Sequence, residues 1–214
     1  IFAALAVLTG RAAYRASYIT YDQASEYLVY AHAARGPKDA LAQIEEISRR
    51  TTGGKDIKVA YSNDGLYPYW WYLRDYPNKL WFQDKPTREL RDYPVIIAGE
   101  DVFTKIDTLV GDSYVRYEYM RLWWPNQEYY NITGERIWNA IADPQMRSAI
   151  FDIWLNRDYK AYAKLIGKEK EFDLETWSPG AQMRLYIRKD IIAQIWDYGA
   201  SPAMPTVEDI DPYA

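Results

Sequence analysis

The apolar residues of this chain change their spacing repeatedly, and each change marks an element. In "RGPKDALAQIEEISRRTTGG", Leu41, Ile44 and Ile47 recur every three residues, which is the spacing of one helix face. Pro37 suits the first helical turn, and Gly53 and Gly54 end the helix. "IKVAYS" (57–62) and "KLWFQ" (79–83) read as strands. Between them, Asn63-Asp64-Gly65 turns the chain into a short helix that Pro77 stops. "PVIIAG" (94–99) is a continuous apolar run between turn residues, the mark of a central strand covered on both faces. Asp101 stands where an N-cap is expected, ahead of a helix in which Val102, Phe103, Ile106, Leu109 and Val110 share a face and which Gly111 closes. "YVRYEYMRLWWP" alternates, with Arg116 and Glu118 on one side and Tyr117 and Tyr119 on the other.

The second half is more helical. Asp143-Pro144 opens a helix with Met146, Ala149, Ile150, Ile153 and Trp154 in one stripe. "MRLYI" (183–187) reads as a strand returning to the sheet, and "RKDIIAQIWDYG" as a last helix ended by Gly199. Strands alternating with helices of about ten residues predict an α/β fold, a three-layer Rossmann-like unit with a mainly parallel sheet and added N- and C-terminal helices. The chain divides into an N-terminal helical segment (1–35), an α/β domain with helical additions (36–199) and an acidic, proline-rich tail (200–214).

The opening run "IFAALAVLTG" is apolar over about ten residues, whereas a bilayer crossing needs about 20. It reads either as the last turns of a longer transmembrane helix or as a buried core helix. It lacks the basic start and small-residue cleavage site of a signal peptide.

Composition narrows the functional classes. With a net charge of −4 and no basic stripe, the chain is not expected to bind nucleic acid. Cysteine is absent, which removes disulfides, thiolate metal sites and cysteine nucleophiles. The single histidine, His32, reads as a helix residue on or near the core rather than part of a zinc site or catalytic triad. No catalytic residue, metal or cofactor is expected: "SNDG" after the first strand is neither a dinucleotide nor a phosphate loop.

The 21 tyrosines and 9 tryptophans are the unusual feature. Such rings, with an apolar face and a polar edge, serve sugar sites, protein interfaces and membrane boundaries. They concentrate in "DGLYPYWWYLRDYP" (64–77). Trp70 and Trp71 are adjacent and cannot share a helix face, so one is expected to pack on the sheet and the other near the surface. In α/β sheets ligands bind beyond the carboxyl ends of the strands, where Asn63-Asp64 and Glu100-Asp101 fall. These carboxylates serve either as helix caps or as partners for sugar hydroxyls or a metal. The candidate ligand-binding set is Asp64, Tyr67, Trp70, Trp71, Arg74, Glu100 and Asp101. Of Trp123-Trp124, one ring is expected buried and the other outward. "NIT" (131–133) matches an N-glycosylation acceptor, and "DID" (209–211) reads as part of the acidic tail rather than a metal motif.

Several phrases together, "WYLRDYPN", "PTRELRDYPVIIAG", "LWWPNQEYY", "IFDIWLNRDYKAYAKL" and "MRLYIRKDIIAQIWDYG", resemble the C-terminal extracytoplasmic domain of a family of polytopic membrane proteins. These are glycosyltransferase-like proteins similar to protein mannosyltransferases, with archaeal members labelled flippase-activity-associated; the likeness is to bacterial members of the Chloroflexi group. It runs from about residue 25 to 199. It implies a parent enzyme that uses a polyprenyl-phosphate-linked sugar, with its catalytic carboxylate in an outward loop among transmembrane helices. The domain in hand would be a non-catalytic accessory outside the cell membrane, meeting a glycan or peptide acceptor or a protein partner in a membrane complex, and attached through its N-terminal segment. The alternative is a structural or interaction subunit with no sugar-binding role. Trp196-Asp197-Tyr198-Gly199 resembles the Trp-Trp-Asp-Tyr-Gly motif of oligosaccharyltransferases, with Ile195 in place of the first tryptophan. Arg11 and Arg15 follow the apolar run, which the positive-inside rule associates with the cytoplasmic side; the resemblance implies the outside.

Overall fold

A computed structural model describes residues 1–26 and 32–199. In chain order the elements are α1 (Phe2–Tyr14), β1 (His32–Ala33), α2 (Gly36–Thr52), β2 (Val59–Ser62), α3 (Leu66–Tyr72), β3 (Lys79–Gln83), β4 (Val95–Gly99), α4 (Phe103–Val110), β5 (Tyr114–Trp123), α5 (Gly134–Ala142), α6 (Pro144–Asn156), α7 (Lys160–Ile166), β6 (Gly180–Arg188) and α8 (Lys189–Gly199). They form two compact units. One comprises the described residues of Ile1–Pro37 together with Tyr119–Gln182; the other comprises Lys38–Glu118 and the described residues from Met183 onward. The tail after Gly199, with the Asp209–Asp211 motif, lies outside the described residues, as do the side chains of His32 and of residues 196–199.

The second unit is an α/β layer structure with a five-stranded open sheet in the order β5-β6-β4-β2-β3. Its centre is parallel: β2 pairs with β3 and with β4 in that sense. β6 pairs antiparallel with β4, Val95 opposite Ile187 and Gly99 opposite Met183. The sheet is therefore mixed, which corrects the expectation of a mainly parallel one. β6 comes from the far end of the chain, and an antiparallel neighbour needs no crossover helix. Every residue of β2 and β4 is buried, as a doubly covered strand requires. Leu90, Ile96, Ala98, Val102, Ile106 and Tyr186 close the core around β4, each large aliphatic contributing about 1.5–3 kcal/mol by burial.

Two sequence expectations need local correction. His32 lies in strand β1, paired with Trp123 of β5, not in a helix. Asp101 lies inside a 3₁₀ turn, Glu100–Val102, and Val102 is the N-cap residue of α4. The tight turn leaving β4 takes up the residues that a direct cap would have used.

The first unit is mostly helical and packs on aromatic rings. Phe172 stacks on Tyr159 with ring centres 5.4 Å apart and meets Trp177 edge-on at 5.5 Å. Trp123 is buried and Trp124 half-buried; the Trp177 indole donates to the Trp124 carbonyl at 2.9 Å. Met120 is buried between two glycine backbones. A methyl group on Gly36 would strike the Met120 carbonyl, and one on Gly180 would lie 2.9 Å from its sulfur. No residue of α1 is buried. Its Arg11 donates to the Leu155 carbonyl and to Asn156 Oδ1, the latter at 2.7 Å, and Arg15 donates to the Asn156 carbonyl at 2.7 Å. Among the described residues no helix is long and apolar enough to cross a membrane.

Candidate functional site

The crevice beyond β2 and β4 is tightly bound to itself. Ser62, buried at the end of β2, accepts the Gly99 amide at 3.0 Å. The Asn63 amide hydrogen goes to the Gln83 carbonyl at 3.2 Å. Its side chain accepts from the Trp81 indole at 3.1 Å and donates to Asp84 at 2.5 Å. The Asp64 side chain fills the space where a Cβ on Gly99 would stand. Glu100 and Asp101 are exposed on the following turn. The N-cap residue of α3 is Gly65, so neither Asp64 nor Asp101 holds the cap position of the helix it precedes.

The remaining candidates form a ridge on α3. Tyr69, Leu73 and Tyr76 are buried, and their spacing of four and three residues defines the inward face. Tyr67, Trp70, Trp71 and Arg74 fall outside that face and are all exposed, the first three by 83, 61 and 59%; Tyr67 sits at a non-helical kink and Arg74 just past the last turn. The expectation that one tryptophan packs on the sheet is overturned: the inward register is taken by tyrosines and a leucine, and both indoles fall outside it. The Arg74 guanidinium lies 4.3 Å from the Trp71 ring and donates to the Trp71 carbonyl at 3.0 Å. Beside it, a hydrogen bond from Lys55 holds the Asp75 carboxyl below its ordinary value. The ridge offers flat apolar faces with hydrogen-bonding edges and a fixed cation. That suits stacking on a ring of the ligand.

Sequence reading missed a second feature, in the helical unit. An open cleft of about 1220 Å³ runs between α5, α6 and α7, walled by Ile137, Ile141, Met146, Ile150, Trp154 and Ile166. At its polar end Glu128 accepts from Arg136 at 2.6 Å and from Lys168 at 2.7 Å, and Arg136 also donates to the Tyr162 hydroxyl at 3.1 Å. These two cations hold the Glu128 carboxyl below the usual range. The available signal was the Ile137-Trp138-Ile141 stripe behind Thr133, whose hydroxyl caps α5 by accepting the Arg136 amide at 3.2 Å. Asn131 of the glycosylation pattern is exposed.

No protein-family model, curated protein or solved structure matches this chain. Among the described residues no group of three or more histidine, aspartate or glutamate side chains is arranged to hold a metal ion.

Proposed function

We propose that this chain is a non-catalytic extracytoplasmic accessory domain of a membrane glycosyltransferase-like protein, acting in surface protein or lipid glycosylation. The parallel β3-β2-β4 core, with α3 connecting β2 to β3, supports the Rossmann-like reading of its sheet. The observation that carries the binding role is the outward register of Tyr67, Trp70 and Trp71. Three exposed rings within five residues are a costly use of surface, and stacking on a glycan gives them a partner. Apolar α1, with no buried residue, supports attachment at a membrane.

The test is a titration of the chain with mannose-, glucose- and N-acetylhexosamine-containing oligosaccharides, followed by NMR of the tryptophan indoles. Saturable shifts confined to α3, weakened about tenfold or more by W70A/W71A, are expected. A flat titration with every glycan would sink the sugar-binding role. A second reading, an interaction subunit with no sugar site, draws on the apolar cleft of the helical unit; it predicts a flat glycan titration and a stable protein complex in detergent extracts.

A further inference from the structure

We infer that the α5–α6 face of the helical unit lies against a lipid bilayer. Amphipathic α5 is turned the unusual way: Ile137, Trp138 and Ile141 are 50, 70 and 54% exposed, and no residue of the helix is buried. Helix α4, with a comparable apolar stripe, buries Ile106 and Val110. α6 extends the same surface with exposed Ile150, Phe151 and Trp154, the last two rings 5.6 Å apart. A patch of this kind marks an interaction surface.

Three observations choose the bilayer over other occupants. The cleft between these helices, about 1220 Å³ and open, exceeds the ~300–1,000 Å³ of small-molecule pockets, so an extended apolar phase fits it better than a compact ligand. Its outer side chains include Trp138, Trp154, Tyr129 and Tyr130, ring types that concentrate at water–lipid boundaries. Finally, the end of α6 is fastened to α1. Arg11 and Arg15 hold the Leu155–Asn156 backbone and the Asn156 side chain. Trp154 and Phe151 stand two and five residues before Asn156, roughly 3 and 8 Å along the helix at 1.5 Å per residue. A helix as apolar as α1, with Phe2, Leu5 and Val7 exposed, thus brings this face to whatever surface it enters. The inference rests in that respect on the membrane attachment proposed for α1, and not on the glycan role of α3.

The experiment is flotation of the 214-residue chain with phosphatidylcholine vesicles, with and without brominated acyl chains. Four proteins are compared: the parent, W138S/F151S/W154S on the face, L5S/V7S on α1, and W70S/W71S on α3. Circular dichroism checks that each is folded. The expected result is bromolipid quenching of the parent and at least a tenfold loss of partitioning in the face variant, with the α3 variant unchanged. If L5S/V7S floats like the parent while the face variant does not, the face is upheld and the role of α1 falls. Full flotation of the face variant overturns the inference. So does a soluble dimer that the face substitutions dissociate, since a second copy would then be the occupant.

Discussion

Asp64 occupies the space beside Gly99 that any other residue at position 99 would need. A Cβ there would meet the Asp64 carboxylate and its Cβ, so the whole side chain would have to move, not only its tip. G99A is therefore expected to destabilise the chain by about 1–3 kcal/mol, as overpacking does, and D64G in the same protein, which removes the opposing Cβ as well, should recover much of the loss. Urea midpoints for the two single variants and the double variant measure the coupling; strictly additive effects would contradict the close approach.

The two faces of α3 should separate cleanly. Tyr69 is fully buried, its hydroxyl 3.6 Å from the Met183 sulfur, and Y69A should cost about 3–5 kcal/mol. W70A and W71A should each stay within about 0.5 kcal/mol of the parent, while reducing any glycan-induced shift. Thermal melts of the three variants decide between this arrangement and one in which an indole supports the sheet.

Alkaline stability follows from two phenols. Burial raises Tyr76 to about 12, with Glu45 adding to the shift. Burial likewise raises Tyr186 to about 12, with Arg184 opposing and Asp107 assisting. Their unfolded values lie near 10, so the folded chain holds these protons more tightly. The resulting stability is whole below pH ~10 and is lost as pH rises towards 12. The Tyr76 hydroxyl has no hydrogen-bond partner among the described residues, so Y76F should be neutral or about 1 kcal/mol more stable at pH 8 and lose less at pH 11. Y186F removes the 3.0 Å bond to Asp107 and should be about 1 kcal/mol less stable at pH 8. Urea unfolding between pH 8 and 11.5 reads both.

Glu26 and Arg157 form a shielded ion pair, 3.2 Å apart with both side chains only 12% exposed. Glu26 also accepts from the Thr20 hydroxyl. E26L takes the carboxylate away from a shielded guanidinium and should cost about 3 kcal/mol. Arg157 has a φ of 56° at the C-cap of α6, a conformation glycine adopts freely. E26L/R157G should consequently be more stable than E26L alone. A double variant less stable than the single one would show that the pair is not the source of the effect.

The sequence made the strands of the α/β unit legible because each is short, apolar and fenced by turn residues. β3 covers Lys79–Gln83 and β4 covers Val95–Gly99, as their apolar runs indicate. Strand direction was not legible: "MRLYI" reads the same whether β6 runs with β4 or against it, and only the route of the preceding chain decides. The α3 ridge was half legible. Helical spacing separates Tyr69 and Leu73 from Trp70 and Trp71, but it does not say which set faces inward, and the adjacency of the two indoles pointed to one of them. In α6 the stripe of Met146, Ala149, Ile150, Ile153 and Trp154 looks like a core face, yet only Ala149 is buried. Periodicity reports that a face is apolar, not what covers it.

Met120 gives the helical unit a chemical clock. Its thioether lies where a side chain on Gly180 would collide with it, its carbonyl where one on Gly36 would, and the residue is buried, so an oxygen added to the sulfur would crowd the closed unit. Peroxide would convert it only during moments when the packing around Trp177 and Phe172 parts. Sulfoxide formation at Met120, followed by peptide mass spectrometry, would count those moments, and a vesicle or partner that steadied the helices would slow it.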